Sequence, residues 1–160
     1  MVRMDQAPRI YDRMLVEHIA AHRQMAWVSG PRQVGKTKVC RALGSRYLNW
    51  DNADDRRTIL GGPAAVAEWA GLATLREKRP VVVFDELHKH GKWRSFLKGF
   101  FDVYGERVRI VVTGSSRLEV FRRGGDSLMG RYFLFRMHPW SVAECLHAGP
   151  PAAPVREPRL

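Results

Sequence analysis

Apolar residues follow two spacings along the chain, and the spacing sorts its elements. Ile10, Met14, Leu15 and Ile19 fall on one helical face and predict an amphipathic helix over 9–22. The short run Met25-Ala26-Trp27-Val28, ending at Ser29-Gly30, predicts a first strand. A helix is predicted over 36–43, closed by Gly44, and Tyr47-Leu48-Asn49-Trp50 predicts a second strand ending at Asp51. The stretch from Asn52 to Leu75 has helical spacing broken at Gly61-Gly62-Pro63. Val81-Val82-Val83-Phe84 is β-branched and apolar on both sides, the pattern of a central strand buried on both faces. From 92 to 104 the period returns to helical. Trp93, Phe96, Leu97, Phe100, Phe101 and Tyr104 share a stripe that predicts core, while Lys92, Arg94, Lys98 and Asp102 take other faces. Arg109 to Thr113 and Tyr132 to Met137 predict two more strands, with a helix over 117–123 between them and a short helix over 141–147. Strands alternating with helices predict an α/β sandwich with a parallel sheet. The Pro/Ala-rich stretch 149–160 is expected to be a disordered tail beyond a core spanning 1–148.

Composition narrows this picture slightly. The 160 residues are 45% hydrophobic, enough for one domain with a proper core. No apolar run approaches the ~20 residues of a membrane-spanning helix, and Glu17 and His18 interrupt the only N-terminal apolar stretch. Cys40 and Cys145 form no metal-type pair and no disulfide framework, so a reducing cytoplasm is the expected setting. The net charge of +11 points toward nucleic acid. Yet six of the 27 basic residues are Lys and the rest are Arg scattered from Arg3 to Arg159, so charge alone specifies no DNA-binding patch.

The chemistry is concentrated at strand ends. Gly30-Pro31-Arg32-Gln33-Val34-Gly35-Lys36-Thr37 matches G-x-x-x-x-G-K-[ST] at every fixed position, between a predicted strand and a predicted helix. Its glycines permit a backbone curl that aims successive N–H groups at one anion, and the helix adds its positive end. Lys36 can reach the β- and γ-phosphates, and the Thr37 hydroxyl can ligate Mg²⁺. The apolar strand ending on Asp85 supplies a carboxylate for the metal. Glu86, one residue on and pointing to the other side of the strand end, is placed to polarise a water. Asp85-Glu86-Leu87-His88 lacks the D-x-x-G of small GTPases, and no N/T-K-x-D follows, which favours ATP over GTP. If the fourth strand lies between the first and third, Thr113-Gly114-Ser115-Ser116 ends near the γ-phosphate. Ser115 is then the first candidate to orient water or sense hydrolysis, and Thr113 the second. Arg117, Arg122, Arg123 and Arg131 are candidate arginine fingers, on their own or a neighbouring subunit's phosphate. Glu86-x-His88-x-His90 has metal-like alternation, but it follows the strand, and solvated loop histidines explain it better.

In combination these motifs resemble the prokaryotic AAA-type ATPases. The resemblance rests on residues 30–37, Tyr-Leu-Asn-Trp-Asp at 47–51, Phe-Asp-Glu-Leu-His-Lys at 84–89 and Thr-Gly-Ser-Ser-Arg-Leu at 113–118. Gly-Asp-Ser-Leu-Met-Gly-Arg-Tyr-Phe at 125–133 and His-Pro-Trp-Ser-Val-Ala-Glu at 138–144 complete it. It implies a three-layer P-loop NTPase of the AAA/ASCE type with sheet order 5-1-4-3-2, Mg²⁺-dependent ATP hydrolysis, and a Walker B role for Asp85 and Glu86. It also supports Ser115 or its neighbours as sensors and raises Arg131 above the other arginines. A homo-oligomer or a protein partner would fit such an enzyme. The chain departs from the family at Lys38, where a second Ser or Thr is usual, and Lys38 would meet the α-phosphate side. The family's usual C-terminal region is also expected to be missing, since the sequence closes on the Pro/Ala-rich stretch. Three alternatives stay open: a nucleotide-binding switch with little hydrolysis, a P-loop kinase, and a DNA-binding module.

Overall fold

A computed structural model describes residues 9–74, 78–115 and 128–147. The elements are α1 (Ile10–Ala21), β1 (Met25–Gly30), α2 (Lys36–Leu43), β2 (Arg46–Asn49), α3 (Ala53–Leu60) and α4 (Gly62–Ala70). They continue with β3 (Val81–Asp85), a 3-10 turn (Leu87–Lys89), α5 (Trp93–Tyr104), β4 (Arg109–Ser115), β5 (Tyr132–Arg136) and α6 (Val142–His147). The helix expected over 117–123 and the tail expected over 149–160 lie outside the described residues.

The five strands form one sheet in the order β2-β3-β4-β1-β5, and every neighbouring pair is parallel. β4 therefore does lie between β1 and β3. Successive strand side chains point to opposite faces, so each central strand feeds two cores. Met25, Trp27, Val82, Phe84, Ile110 and Val112 pack on the face covered by α3, α4 and α5. Ala26, Val28, Val83 and Val111 pack with Leu15 of α1 and Val39 and Cys40 of α2 on the other. The stripe on α5 is core as expected: Phe100 is fully buried and edge-on to Phe84, and Trp93 meets Trp27. Cys40 is sealed in the second core, and burial pushes its thiol up to about 12.

Three local expectations shift. β1 and β4 run two residues past their apolar stretches, because the ladder pairs Ser29 with Gly114 and Gly30 with Ser115. β2 ends at Asn49 and Trp50 turns away, its N–H bonded to the Asp85 carbonyl. On α1 the buried positions are Leu15 and His18, whereas Met14 faces solvent. His18 is drawn inward by Gln24, whose carbonyl oxygen lies 2.9 Å from Nε2, and by the rings of Phe133 and Phe135 on edge strand β5.

Candidate functional site

All five strands run the same way, so the C-terminal ends of β1, β3 and β4 share one edge of the sheet. In open α/β sheets that edge is where ligands sit. Between β1 and α2 the chain turns through two left-handed residues, Gln33 (φ 65°) and Gly35 (φ 95°), with Val34 between them. Gly35 is required by that backbone conformation, whereas Gln33 adopts it despite a side chain. Gly30 is glycine for a different reason. A Cβ there would lie 2.2 Å from the carbonyl oxygen of Met137, which leaves β5 hydrogen-bonded to Ser29. Of the two glycines expected to supply curl, one supplies it and the other admits a neighbouring backbone.

Lys36 opens α2, is only 8% exposed, and donates from Nζ to the carbonyls of Gly30 (2.9 Å) and Pro31 (2.6 Å). Burial lowers its pKa, opposed by the charges of Glu86 and Asp85. Thr37 donates from Oγ1 to Asp85 Oδ2 at 2.9 Å. Asp85 is itself buried and also accepts from the Tyr47 hydroxyl at Oδ2 and from the Thr113 hydroxyl at Oδ1. Burial, then the bond to Asp85, raises the Tyr47 pKa. Tyr47 was not singled out from the sequence. Register explains its reach: it pairs with Val83, so its ring lies on the α1/α2 face and its hydroxyl extends two residues along to Asp85.

Glu86 is separated from Asp85 by a backbone turn and not by strand alternation. It has left β3, sits in the left-handed region (φ 57°) and begins the 3-10 turn. Its N–H donates to Thr113 Oγ1 at 3.3 Å, so that hydroxyl touches both acidic residues. The Glu86 carboxylate lies 3.4 Å from Lys89 Nζ and 3.7 Å from His88 Nε2, and Lys89 also holds Asp51 at 2.6 Å. Burial lowers the His88 pKa despite the nearby Glu86 charge. His90 stacks on Trp50, away from any shared ligand set.

The remaining candidates divide. Pro31, Arg32, Gln33 and Lys38 are exposed around the loop. Ser115 reaches the site edge through its pairing with Gly30, but its side chain lies outside the described set, as do Arg117, Arg122 and Arg123. Arg131 stands at the opposite edge. Its carbonyl accepts from Met25, the first residue of β1, and its guanidinium forms a two-pronged pair with Asp102 at 2.7 and 3.1 Å. Five residues of strand, about 17 Å, separate it from the loop of its own chain. This placement does not fit an arginine finger acting on the loop of its own chain.

A second group missed in the sequence meets the loop from behind. Arg9 and Glu144 are 5% and 6% exposed, and Arg9 Nε donates to Glu144 Oε1 at 2.9 Å. Glu144 also accepts from the N–H groups of Ile10 and Ser141 and from the Ser141 hydroxyl. Burial alone would raise the Glu144 pKa, but the Arg9 and backbone bonds outweigh it and bring it to about 2 from an ordinary 4.5. A depressed carboxylate pKa contributes stability above its unfolded value, lost as pH falls through the folded one. Glu144 should therefore stabilise the fold above pH 4.5 and cease to do so between 4.5 and 2. Urea unfolding should lose less stability between pH 5 and 3 in Glu144→Gln than in the wild type; equal losses would contradict this.

A left-handed loop between the first strand and a helix, at the edge of a parallel sheet ordered 2-3-4-1-5, defines an AAA-type α/β fold. The chain belongs to the AAA domain family, a nucleotide-binding family, whose model matches residues 22–146. Among solved structures it is similar to PCH-2 of C. elegans, at 18% identity over 81% of this chain and with a TM-score of 0.47. The chain spans 39% of that structure's length. No curated protein sequence matches it. Among the described residues no helix is long and apolar enough to cross a membrane.

Proposed function

We propose that the chain binds Mg-ATP at residues 30–38 and hydrolyses it to ADP and phosphate, driving a conformational change in a protein partner or a second copy. The observation that carries this reading is the convergence of Lys36, Thr37, Asp85 and Thr113 at one sheet edge. The donor set suits a hard divalent cation: a hydroxyl and a carboxylate already within hydrogen-bond distance. Thr37 and Asp85 would hold Mg²⁺, which when bound supplies neutralisation of phosphate charge. Gly35 and the start of α2 present backbone N–H groups to phosphate, and Lys36 exchanges its two carbonyl bonds for phosphate oxygens. Thr113 ties the Asp85 carboxylate to the Glu86 backbone, so the metal ligand and the water-activating carboxylate move as one unit. Glu86 accepts the proton of the attacking water once its carboxylate is released from Lys89. Ser115 and a neighbouring subunit's Arg131 complete the catalytic set.

Steady-state phosphate release tests this. Glu86→Gln should lower the rate by roughly 10²-fold or more, the usual contribution of a general base, while Mg-ATP binding persists. Equal, background-level rates in both proteins would favour instead a nucleotide switch with little hydrolysis.

A further inference from the structure

We propose that Arg9 is a positioning residue for the phosphate loop, clasping its backbone and locking it through Glu144 to the segment that follows β5. The proposal rests on the reading of residues 30–38 as the ATP site. Arg9 lies outside the stretch matched by the family model, which begins at residue 22.

The guanidinium of Arg9 serves three parts of the chain. Nε holds Glu144 of α6 at 2.9 Å, Nη1 donates to the Val34 carbonyl at 2.9 Å, and Nη2 donates to the His138 carbonyl at 2.9 Å. The rings of Trp140 and Tyr11 lie 4.4 and 5.5 Å from its carbon, closing the remaining faces. A planar fork is the side chain that can bridge three fixed acceptors at once; an ammonium cannot keep the same geometry.

The point of attachment is what gives the clasp its function. Val34 stands between the two left-handed residues, and Gln33 holds that conformation against the steric preference of a residue with a Cβ. Such a turn persists only when its surroundings over-determine it. The Val34 side chain is buried in the core shared with α1 and α2, and its carbonyl is held by Arg9. Lys36 secures the first half of the loop through Gly30 and Pro31, so Arg9 secures the second. Five donors converge on Glu144, from Arg9, Ile10 and Ser141, which keeps its carboxylate charged and the fork oriented. The two ends of the pair are 135 residues apart in sequence, so the clasp couples the loop to α6, the last helix among the described residues.

The test compares the wild-type chain, Arg9→Lys and Glu144→Gln by Mg-ATP titration, thermal unfolding and amide hydrogen exchange. Arg9→Lys should weaken Mg-ATP at least tenfold and speed exchange within residues 31–36, leaving β1 and β4 protected. A merely structural ion pair would lower the melting temperature without singling out that segment. Folded Arg9→Lys with wild-type affinity and unchanged exchange at 31–36 overturns the proposal. If Arg9→Lys does not fold, Glu144→Gln decides. It keeps the Val34 bond but loosens the fork, so a threefold to tenfold weakening with the same local exchange supports the clasp, and unchanged affinity rejects it. A wild type that fails to bind Mg-ATP would sink the nucleotide reading instead, and the exchange at 31–36 would still judge the clasp.

Discussion

Lys36→Ala is expected to raise the Mg-ATP dissociation constant at least about a hundredfold while leaving the sheet intact. Charge-assisted hydrogen bonds contribute roughly 1.5–3 kcal/mol each, and 1.4 kcal/mol is a factor of ten in affinity. Two such bonds to phosphate oxygens give about that loss. The side chain also donates to the Gly30 and Pro31 carbonyls, so the substitution removes an internal brace as well as a ligand. Both effects weaken nucleotide binding, and neither lies in the two cores, where Trp27, Phe84 and Phe100 are fully buried. Calorimetric titration with Mg-ATP, alongside circular dichroism, measures the two separately. Wild-type affinity in a folded Lys36→Ala protein would end the assignment of this loop as the nucleotide site.

Gly30→Ala is expected to destabilise the whole domain. The added Cβ would sit 2.2 Å from the Met137 carbonyl oxygen and 3.4 Å from Val34 Cγ2. The first is backbone, held by the bond from Met137 N–H to the Ser29 carbonyl at 2.7 Å, so it cannot yield as a side-chain tip would. Overpacking of this kind typically costs about 1–3 kcal/mol, or several degrees in melting temperature for a chain of this length. Gly99 on α5 supplies the control. A Cβ there would meet only Pro63 Cγ, at 3.6 Å, so Gly99→Ala should fold at least as well as the wild type. Thermal unfolding of both variants checks the pair, and equal melting temperatures would refute the close-approach explanation.

The legible parts of the site are those whose chemistry is contiguous. Residues 30–37 carry their glycines, lysine and hydroxyl in one stretch, and β3 delivers Asp85 at the end of an unmistakable apolar run. The unread parts are contacts made across the fold. Tyr47 reaches Asp85 over 38 residues, and Arg9 reaches Glu144 over 135. Both Tyr47 and Glu144 lie within segments that carried the family resemblance, yet nothing local distinguishes a strand tyrosine or a helix glutamate as part of a site. Arg9 had no signal beyond opening a predicted helix. Helix α1 shows the same limit on a smaller scale. Periodicity placed Met14 inside, and the aromatic face of β5 drew His18 there instead.

By itself the sequence determined the α/β alternation, the double burial of β3 and the position of the glycine-bearing loop between β1 and α2. Those features follow from residues near one another in the chain, through strand and helix periodicity and the backbone freedom of Gly35. Only the tertiary structure decided why Gly30 has no side chain, that Glu86 leaves the strand in a left-handed turn, and that Arg131 faces away from its own loop. Each of these depends on which backbone passes within a few ångströms of which other, and the parallel sheet sets that by bringing the ends of β1, β3, β4 and β5 to one edge.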